Sequence, residues 1–264
     1  IFLGYAVALI FIFQISFLNS FYLISLFVGS FVMFLLGITD DLIQLSPYLR
    51  LVFQILIATY VISSGIVIEN IDLTYLGINN LTINLPWIVS YLITIFWLVG
   101  ITNAVNWIDG LDGLASSITA ISTLGIVFLS LMFGNIDSTF FACAILGANL
   151  GFLKYNIRPA SIYMGDGGSY LIGFILASLS ITANLNSSQA LVPHFPLLIL
   201  LLPITDMSMV ILIRILSGKS PFFPDKNHIH HRLLSHGLTE SKVLNLLSLI
   251  NFFLIGLALF SFKN

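Results

Sequence analysis

Charged side chains are scarce in this 264-residue chain, where Asp, Glu, Lys and Arg together make up only 8% of the residues. Soluble domains carry about a quarter, and the 58% hydrophobic share, with a mean hydropathy of +1.07, excludes an ordinary soluble fold. The net charge of −2 lacks the basic excess that a nucleic-acid binder needs. Cysteine is nearly absent as well, and with Cys143 alone no internal disulfide can form. The composition therefore predicts an all-α polytopic membrane protein with no nucleic-acid partner.

Long apolar segments predict the topology, because a helix needs roughly 20 apolar residues to cross the hydrocarbon core. Nine segments qualify, namely 1–18, 21–38, 48–65, 87–103, 114–134, 138–154, 168–186, 195–216 and 241–262. After Gly77, Asn79 and Asn80, apolar and polar residues alternate over 81–85, which predicts a small extracytoplasmic β-hairpin. With no repeat or linker, residues 1–264 are expected to form a single membrane domain. The start at Ile1 inside an apolar segment predicts a truncated N-terminus.

Lysine and arginine are distributed unevenly between the two sides of this predicted topology. One side receives Arg50, Lys154, Arg158, Arg214, Lys219, Lys226, Arg232 and Lys242, and the other receives Lys263. Positive residues mark the cytoplasmic side. The aspartates, asparagines and histidines of the motifs described below fall on that same side, so we expect a site assembled from several cytoplasmic loops.

An acidic pair, Asp40 and Asp41 in GITDDLIQLSP, directly follows a predicted span. Adjacent carboxylates repel each other, which favours cation binding or proton transfer. The alternative is a turn that ends the helix, with solvated acids and Pro47 as the stop.

A second polar run, NAVNWIDGLDGLA, places Asn103, Asn106, Asp109 and Asp112 three residues apart at the end of an apolar segment. This spacing puts them on a slowly drifting helical face. Their oxygens suit a hard metal ion or a nucleotide. Helix capping and interhelical hydrogen bonds are the alternative, but four such groups in ten residues exceed what capping needs.

A glycine-rich stretch, MGDGGS, surrounds Asp166 at the start of a predicted helix. Glycines allow close approach of a ligand to the backbone, and a helix N-terminus attracts anions. An acidic residue in that position suggests a divalent cation bridging it to phosphate, although Asp166 could instead simply cap the helix.

A histidine cluster, NHIHHRL, places His228, His230 and His231 beside Lys226 and Arg232. Zinc is one alternative, but the cationic neighbours and the lack of a helical i, i+4 pair favour phosphate binding. Asp206 lies inside a predicted span, where an acid is a functional candidate by default. It could equally be structural, and it is not included among the catalytic residues.

In order and spacing, TDDLIQLSP, NAVNWIDGLDGLA, MGDGGS and PDKNHIHHRL resemble the motifs of the polyprenyl-phosphate N-acetylhexosamine-1-phosphate transferases. This resemblance implies transfer of a sugar-1-phosphate from a UDP-N-acetylhexosamine to undecaprenyl or another polyprenyl phosphate, with release of UMP. It also implies the bacterial inner (plasma) membrane, a cytoplasmic active site, ten or eleven spans in the family, and a requirement for Mg²⁺ that Mn²⁺ could replace. The HIHH motif is similar to the UDP-GlcNAc branch, whereas the muramoyl-pentapeptide branch shows three consecutive histidines.

The resemblance also implies roles for individual residues. Asp166 would be the principal Mg²⁺ ligand, helped by Asn106 or Asp41, and Asp40 would accept the proton of the lipid phosphate. The implied uridine pocket comprises Asn103, Asp109, Leu111, Asp112, Asn156 and Tyr163. The implied ligands of the diphosphate or sugar are His228, His230 and His231. One-step and two-step routes stay open, as do a monomer and a homodimer.

Two other functions are compatible with part of this pattern. One is the muramoyl-pentapeptide transfer of peptidoglycan synthesis. The other is a cation-coupled transporter, which would need acids near the middle of the membrane and two symmetric halves. Here most acids lie at the ends of the predicted spans on one side, which favours the transferase.

Overall fold

The computed structural model describes residues 1–15, 21–74, 81–185, 189–223 and 225–262, and they are mostly helical. Its helices are α1 (Phe2–Ile15), α2 (Phe21–Ile43), α3 (Pro47–Ile62), α4 (Trp87–Ile108), α5 (Leu114–Phe133), α6 (Ile136–Asn156), α7 (Gly165–Thr182), α8 (His194–Ile199), α9 (Leu201–Leu216), α10 (Ile229–Ser235) and α11 (Glu240–Ser261). Its strands are β1 (Asn70–Asp72) and β2 (Thr82–Asn84). The predicted helical class is confirmed.

Five segments are long and apolar enough to cross a membrane, and α3 is apolar but shorter. They are Leu23–Ile43, Trp87–Ile108, Leu114–Phe133, Ile136–Asn156 and Glu240–Ser261. Large apolar side chains face outward, with Trp87, Phe96 and Leu216 each more than three quarters exposed. Such exposure is unfavourable in water and not in lipid. The chain is a multi-pass membrane protein, and the total of nine spans stays a prediction.

Helix α7 is the centre of the bundle, since all of its residues from Gly167 to Ile181 are buried. It packs against α2, α4, α5 and α6. At Gly173 an added Cβ would lie 2.9 Å from the Thr102 Cα, so the backbones of α7 and α4 are in contact there. Close contact through small residues is how helices pack where no hydrophobic effect drives them together.

Buried amides join the outer helices to α5. Asn251 of α11 donates to the Ile118 carbonyl over 3.1 Å and to the Ser122 hydroxyl over 3.2 Å. Asn149 of α6 donates to the Ser116 carbonyl over 3.0 Å. These bonds fix the rotation of α11 and α6, because each side chain would otherwise be a buried polar group without a partner.

The two strands form a small antiparallel sheet, in which Ile71 pairs with Ile83. The sheet lies at the start of α4, at the opposite end of that helix from Asn106. The predicted hairpin is therefore confirmed as a sheet, while the turn residues Gly77, Asn79 and Asn80 lie outside the described residues. Its extracytoplasmic location stays a prediction.

The segment 195–216, predicted as one span, consists of two helices, α8 and α9, which meet at Leu200, and its crossing of the membrane stays a prediction. Leu200 has φ −107° and ψ 13°, outside the helical range. The cause is Pro203, which has no N–H for the carbonyl four residues earlier and whose ring crowds that carbonyl. The break starts α9 at Leu201 and sets the direction in which Asp206 and Arg214 approach α4.

Candidate functional site

Asp41 joins the end of α2 to the start of α7. Its Oδ1 accepts a hydrogen bond from the Asp166 N–H (2.9 Å), and its Oδ2 accepts one from the Gly167 N–H (3.1 Å). A carboxylate at this position satisfies free amides and complements the positive end of the helix. Gly165 adopts a left-handed φ of +64°, and a Cβ there would lie 2.8 Å from Asp41 Oδ2.

The close approach of α2 to α7 depends on Gly37. A Cβ on Gly37 would lie 2.3 Å from the Asp166 carbonyl oxygen and 2.5 Å from the Gly167 Cα. Neither backbone atom can move aside without shifting α7. Glycine at residue 37 is therefore what brings the acidic pair, one turn further along α2, to the first turn of α7.

Asp40 is buried behind this contact and is held by three donors. Arg50 of α3 donates to Oδ2 over 2.8 Å, the Tyr170 hydroxyl donates to the same oxygen over 3.2 Å, and the Leu45 N–H donates to Oδ1 over 2.8 Å. In the sequence, Arg50 stands out only as a marker of the cytoplasmic side, and Tyr170 does not stand out at all. Ten residues separate Arg50 from Asp40 across a turn, and the Pro47 that begins α3 was the only local indication of their meeting.

Asn106 of α4 completes the cluster from the opposite side. Its amide donates to Asp166 Oδ1 over 2.6 Å and to the Ser169 hydroxyl over 2.9 Å. Asp40, Asp41, Asn106 and Asp166 thus lie together, although they come from three helices and span more than a hundred residues of sequence. This convergence was the central requirement of the sequence-based hypothesis.

A pocket of about 340 Å³ opens in front of these groups. Eight residues singled out from the sequence lie in its wall, namely Asp41, Asn106, Asp109, Leu111, Asp112, Asn156, Tyr163 and Asp166. We call it the acidic pocket. Burial, reinforced by the carboxylates of Asp166, Asp41 and Asp112, raises the pKa of Asp109 to about 7. The wall contains four aspartates and, among the described residues that line it, no lysine or arginine. Its electric field therefore attracts positive charge.

Hydrogen bonds hold the wall of the acidic pocket in place. Asp112 accepts a bond from the Ala160 N–H over 3.0 Å, and Asn156 donates to the Ile162 carbonyl over 3.0 Å. The Ser116 hydroxyl in turn donates to Asn156 Oδ1 over 2.6 Å. The Tyr163 ring is 75% exposed, which leaves its face free for stacking.

A second cavity, of about 750 Å³, lies between α3, α4 and α9, and we call it the apolar cavity. Its wall follows α4 from Leu92 to Asn106, a length of about 21 Å at 1.5 Å per residue. Leu92 and Phe96 belong both to this wall and to the exposed surface of the bundle. The cavity is therefore accessible from the lipid, and Asn106 lies in the walls of both cavities.

Asn103, predicted for the uridine pocket, lies instead in the wall of the apolar cavity. Its amide donates to Gln54 Oε1 over 2.7 Å and to the Val99 carbonyl over 2.8 Å. The physical reason is the helical drift noted in the sequence. Residues three apart are offset by about 60° around the helix, so Asn103 and Asn106 both face the apolar cavity, while Asn106 alone of the two also reaches the acidic pocket.

The three histidines occupy three different environments. His228 donates through Nδ1 to Asp206 Oδ2 over 2.7 Å, and the Ile229 N–H donates to Asp206 Oδ1 over 2.6 Å. Asp206 therefore anchors the start of α10, a structural role that the sequence analysis had left open. His230 is 1% exposed, whereas His231 is only partly buried. Their ring centroids lie 4.2 to 6.5 Å from one another, and their role as ligands of the diphosphate or sugar stays a prediction.

An ion pair that was not predicted supports the loop before these histidines. Arg214 is buried and donates through Nε and Nη2 to the two carboxylate oxygens of Asp225, over 2.9 and 3.2 Å. These bonds hold the pKa of Asp225 well below its usual range. The guanidinium also lies 4.8 Å from the Trp107 ring, a cation–π contact that links the loop to α4. No local sequence signal pairs residues 214 and 225.

The donors of the acidic pocket suit magnesium that keeps water and substrate ligands better than they suit a metal ion enclosed by protein ligands alone. Among the described residues, no three His, Cys, Asp or Glu side chains are arranged to hold a metal ion by themselves. Mg²⁺ usually takes one or two carboxylates and completes its shell with water and substrate phosphate. Asp166 and Asp41 offer two carboxylates, and the Asn106 amide lies within hydrogen-bond distance of Asp166.

Together, the fold and the site define a multi-pass membrane protein with an acidic pocket next to a lipid-accessible apolar cavity. Residues 23–184, more than half of the chain, match the family model described as glycosyl transferase family 4, and the chain belongs to this family.

Named relatives give the comparison more detail. The chain is 36% identical over 225 residues to the probable undecaprenyl-phosphate N-acetylglucosaminyl 1-phosphate transferase of Bacillus subtilis, covering 85% of this chain and 62% of the relative. It is 33% identical over 228 residues to the undecaprenyl-phosphate alpha-N-acetylglucosaminyl 1-phosphate transferase of Haemophilus influenzae, covering 84% and 63%. It is 32% identical over 233 residues to the decaprenyl-phosphate N-acetylglucosaminephosphotransferase of Mycobacterium leprae, covering 81% and 58%. The chain thus spans about three fifths of the length of these relatives.

Proposed function

We propose that the protein transfers N-acetylglucosamine-1-phosphate from UDP-GlcNAc to undecaprenyl or another polyprenyl phosphate and releases UMP, as the first membrane step in making a cell-envelope polysaccharide. The observation that carries this proposal is that Asn106 lies in the walls of both the acidic pocket and the apolar cavity. A charged, water-soluble donor and a lipid acceptor can meet there. The printed names of the relatives support the same substrates.

In this proposal the apolar cavity holds the first isoprene units of the acceptor, with the phosphate at the Asn106 end. Arg50 lies in the wall of that cavity with its Nη1 on Asp40, and it supplies positive charge for the lipid phosphate. The length of the wall along α4 fits an extended apolar chain entering from the lipid. Apolar walls let the chain pass from the acyl region into the protein without exposure to water, and dispersion contacts hold it there.

The acidic pocket holds the nucleotide sugar. Tyr163 offers an exposed ring for the uracil, while Asp109, Leu111, Asp112 and Asn156 line the space for the uridine. His231 and His228 are the histidines that remain candidates for the diphosphate or sugar. Asp166, Asp41 and Asn106 would hold Mg²⁺, or Mn²⁺ in its place, and the ion would neutralise phosphate charge in the transition state.

The chemistry is a displacement at the β-phosphorus of the donor. An oxygen of the lipid phosphate forms a bond to that phosphorus, the bond to the bridging oxygen breaks, and UMP leaves with the electron pair. Asp40 takes the proton when the lipid phosphate carries one, while Arg50 and Tyr170 hold its carboxylate in place. The protein contributes mainly orientation and charge stabilisation.

The decisive experiment incubates purified protein in lipid vesicles with UDP-GlcNAc labelled in the sugar, undecaprenyl phosphate and Mg²⁺. We expect a labelled product that partitions into organic solvent, together with an equal amount of UMP. Label that enters the vesicles without a lipid product would identify a transporter and refute the proposal. A panel of other UDP-sugars, including the muramoyl-pentapeptide donor, then measures the preference for the sugar.

We also propose that the acidic pocket faces the cytoplasm of a bacterial inner membrane and that the β1–β2 sheet lies outside. Eight of the nine Lys and Arg residues lie on the pocket side of the nine-span assignment. After Cys143→Ser, a single cysteine at Asn84 should react with a membrane-impermeant maleimide in intact cells. A cysteine at Lys219 should react only after the membrane is opened, and the reverse result would invert the orientation.

A further inference from the structure

His230 is a fully buried histidine that contributes to neither cavity. Its side chain is 1% exposed, and neither ring nitrogen has a hydrogen-bond partner among the described residues. It is absent from the walls of the acidic pocket and of the apolar cavity. His231 lies in neither wall either, but it is partly exposed and open to a ligand, whereas His230 is closed off both from the cavities and from solvent.

The ring of His230 lies directly behind Gly110 in the turn between α4 and α5. A Cβ added to Gly110 would lie 2.3 Å from Nε2 of His230 and 2.7 Å from its Cε1. Gly110 itself belongs to the wall of the acidic pocket. The acidic pocket therefore lies outermost, the turn with Gly110 lies behind it, and the His230 ring lies behind that turn.

The ring has little freedom to withdraw from Gly110. It stacks on His228 with 5.7 Å between ring centroids and an angle of 14°, and it lies 4.2 Å from the His231 ring. His228 is fixed in turn by its bond to Asp206. The contact with Gly110 is thus braced from α9 through two aromatic rings.

We propose that His230 is a positioning residue, which holds the turn carrying Asp109 and Asp112 by the shape of its ring and makes no contact with substrate. Gly110 is the matching half of this contact, because hydrogen is the only side chain that the ring admits. The expected effect on catalysis rests on the proposed function, whereas the packing of the His230 ring against Gly110 does not. Because the ring nitrogens have no protein partner, an apolar side chain of similar size loses no hydrogen bond.

The test is a double-mutant cycle with Gly110→Ala, His230→Ala and the double variant, each assayed for sugar transfer. Gly110→Ala should lower kcat/KM for UDP-GlcNAc by at least about tenfold, because overpacking a braced contact is costly. The loss should appear in KM for the nucleotide sugar and not in KM for polyprenyl phosphate. The double variant should exceed Gly110→Ala and return to within about twofold of His230→Ala, because the two changes act on one contact. Gly147→Ala is the matched control, since its Cβ would meet nothing within 4 Å.

Two further measurements keep the inference falsifiable on its own. His230→Leu should keep kcat/KM within about threefold of the wild type, because it preserves the side-chain volume. A loss as large as that of Asp166→Asn would mean that His230 contacts the substrate directly, and it would overturn the inference. Thermal unfolding of the same cycle in detergent needs no substrate. Recovery of Tm in the double variant supports the packing, and additive losses refute it. An inactive wild type with a recovering Tm would refute the proposed function alone.

Discussion

The acidic pocket and the apolar cavity share Asn106 but are built in opposite ways. The acidic pocket is made from the ends of α2, α4, α6 and α7 and the turns beside them. Its geometry depends on contacts at backbone level, as at Gly37 and Gly110, where an added carbon atom would overlap a neighbour. The apolar cavity is made from the sides of α3, α4 and α9, and at Gly100 in its wall an added Cβ would meet nothing within 4 Å.

This difference suggests how the two sites serve two kinds of substrate. Phosphate chemistry needs atoms held in fixed positions, and backbone contacts give such positions with little freedom. A flexible isoprene chain needs apolar area and tolerates small changes in shape. Substitutions at the acidic pocket should therefore reduce catalysis strongly, whereas those in the apolar cavity should weaken only the binding of lipid.

The largest effect is expected for Asp166→Asn. The change keeps the shape and removes the charge that we assign to cation binding, so kcat should fall by about a thousandfold, the upper range for losing one such electrostatic contact. The measurement is turnover of UDP-GlcNAc across a Mg²⁺ titration, in which the remaining activity should no longer respond to the metal. Glu69→Gln, at the other end of the bundle, is the control. Near-normal turnover by Asp166→Asn would remove this residue from the metal site.

A smaller but still large effect is expected for Gly37→Ala. The methyl group would overlap the Asp166 carbonyl and push α2 from α7, so activity should fall by about a hundredfold, equivalent to about 3 kcal/mol of overpacking. Tm in detergent should fall with it. Gly151→Ala, which meets nothing within 4 Å, should change neither quantity. Equal behaviour of the two variants would show that the backbone contact does not set the pocket.

Filling the apolar cavity should have a moderate and selective effect. In Gly100→Leu the new side chain takes space from the acceptor, so KM for polyprenyl phosphate should rise by about fivefold, which corresponds to roughly 1 kcal/mol. KM for UDP-GlcNAc should stay unchanged. Gly147→Leu on α6 is the matched control, because it adds the same side chain away from both cavities. An equal rise in both KM values would contradict the assignment of this cavity to the lipid.

The sequence predicted the residues of the acidic pocket better than it predicted Arg50 and Tyr170, which hold Asp40 in place behind it. Asp41, Asn106 and Asp166 stood out because polar residues are costly at the ends of apolar segments, and the structure brings them together. Arg50 and Tyr170 did not stand out, because arginine near a helix start and tyrosine in an apolar run are both common. Their meeting at Asp40 depends on how α3 and α7 pack, which no local pattern encodes.

The histidines show the same limit more sharply. As a string of letters, HIHH indicates three equivalent rings, whereas the fold gives them different neighbours. One ring turns toward Asp206, one toward Gly110, and one remains partly exposed. Seven residues of α10 are enough to separate these directions, because each residue turns the helix by about 100°.

The effect most specific to the His230 contact behind the acidic pocket is a change in the pH dependence of stability. Burial lowers the pKa of His230 to about 4, with His231 and His228 adding to the shift and Asp206 opposing it. An imidazole in the unfolded chain titrates near 6.5, so between these values the unfolded state binds more protons. The contribution of His230 to stability is therefore fully present above about pH 6.5 and falls by up to about 3 kcal/mol as the pH falls to 4. His230→Leu should flatten the fall of Tm over this range, whereas His236→Leu on the exposed side should not. An unchanged slope in His230→Leu would mean that the pKa of His230 is the same in the folded and unfolded states, and that the turn at Gly110 is held by something other than a neutral, close-packed histidine.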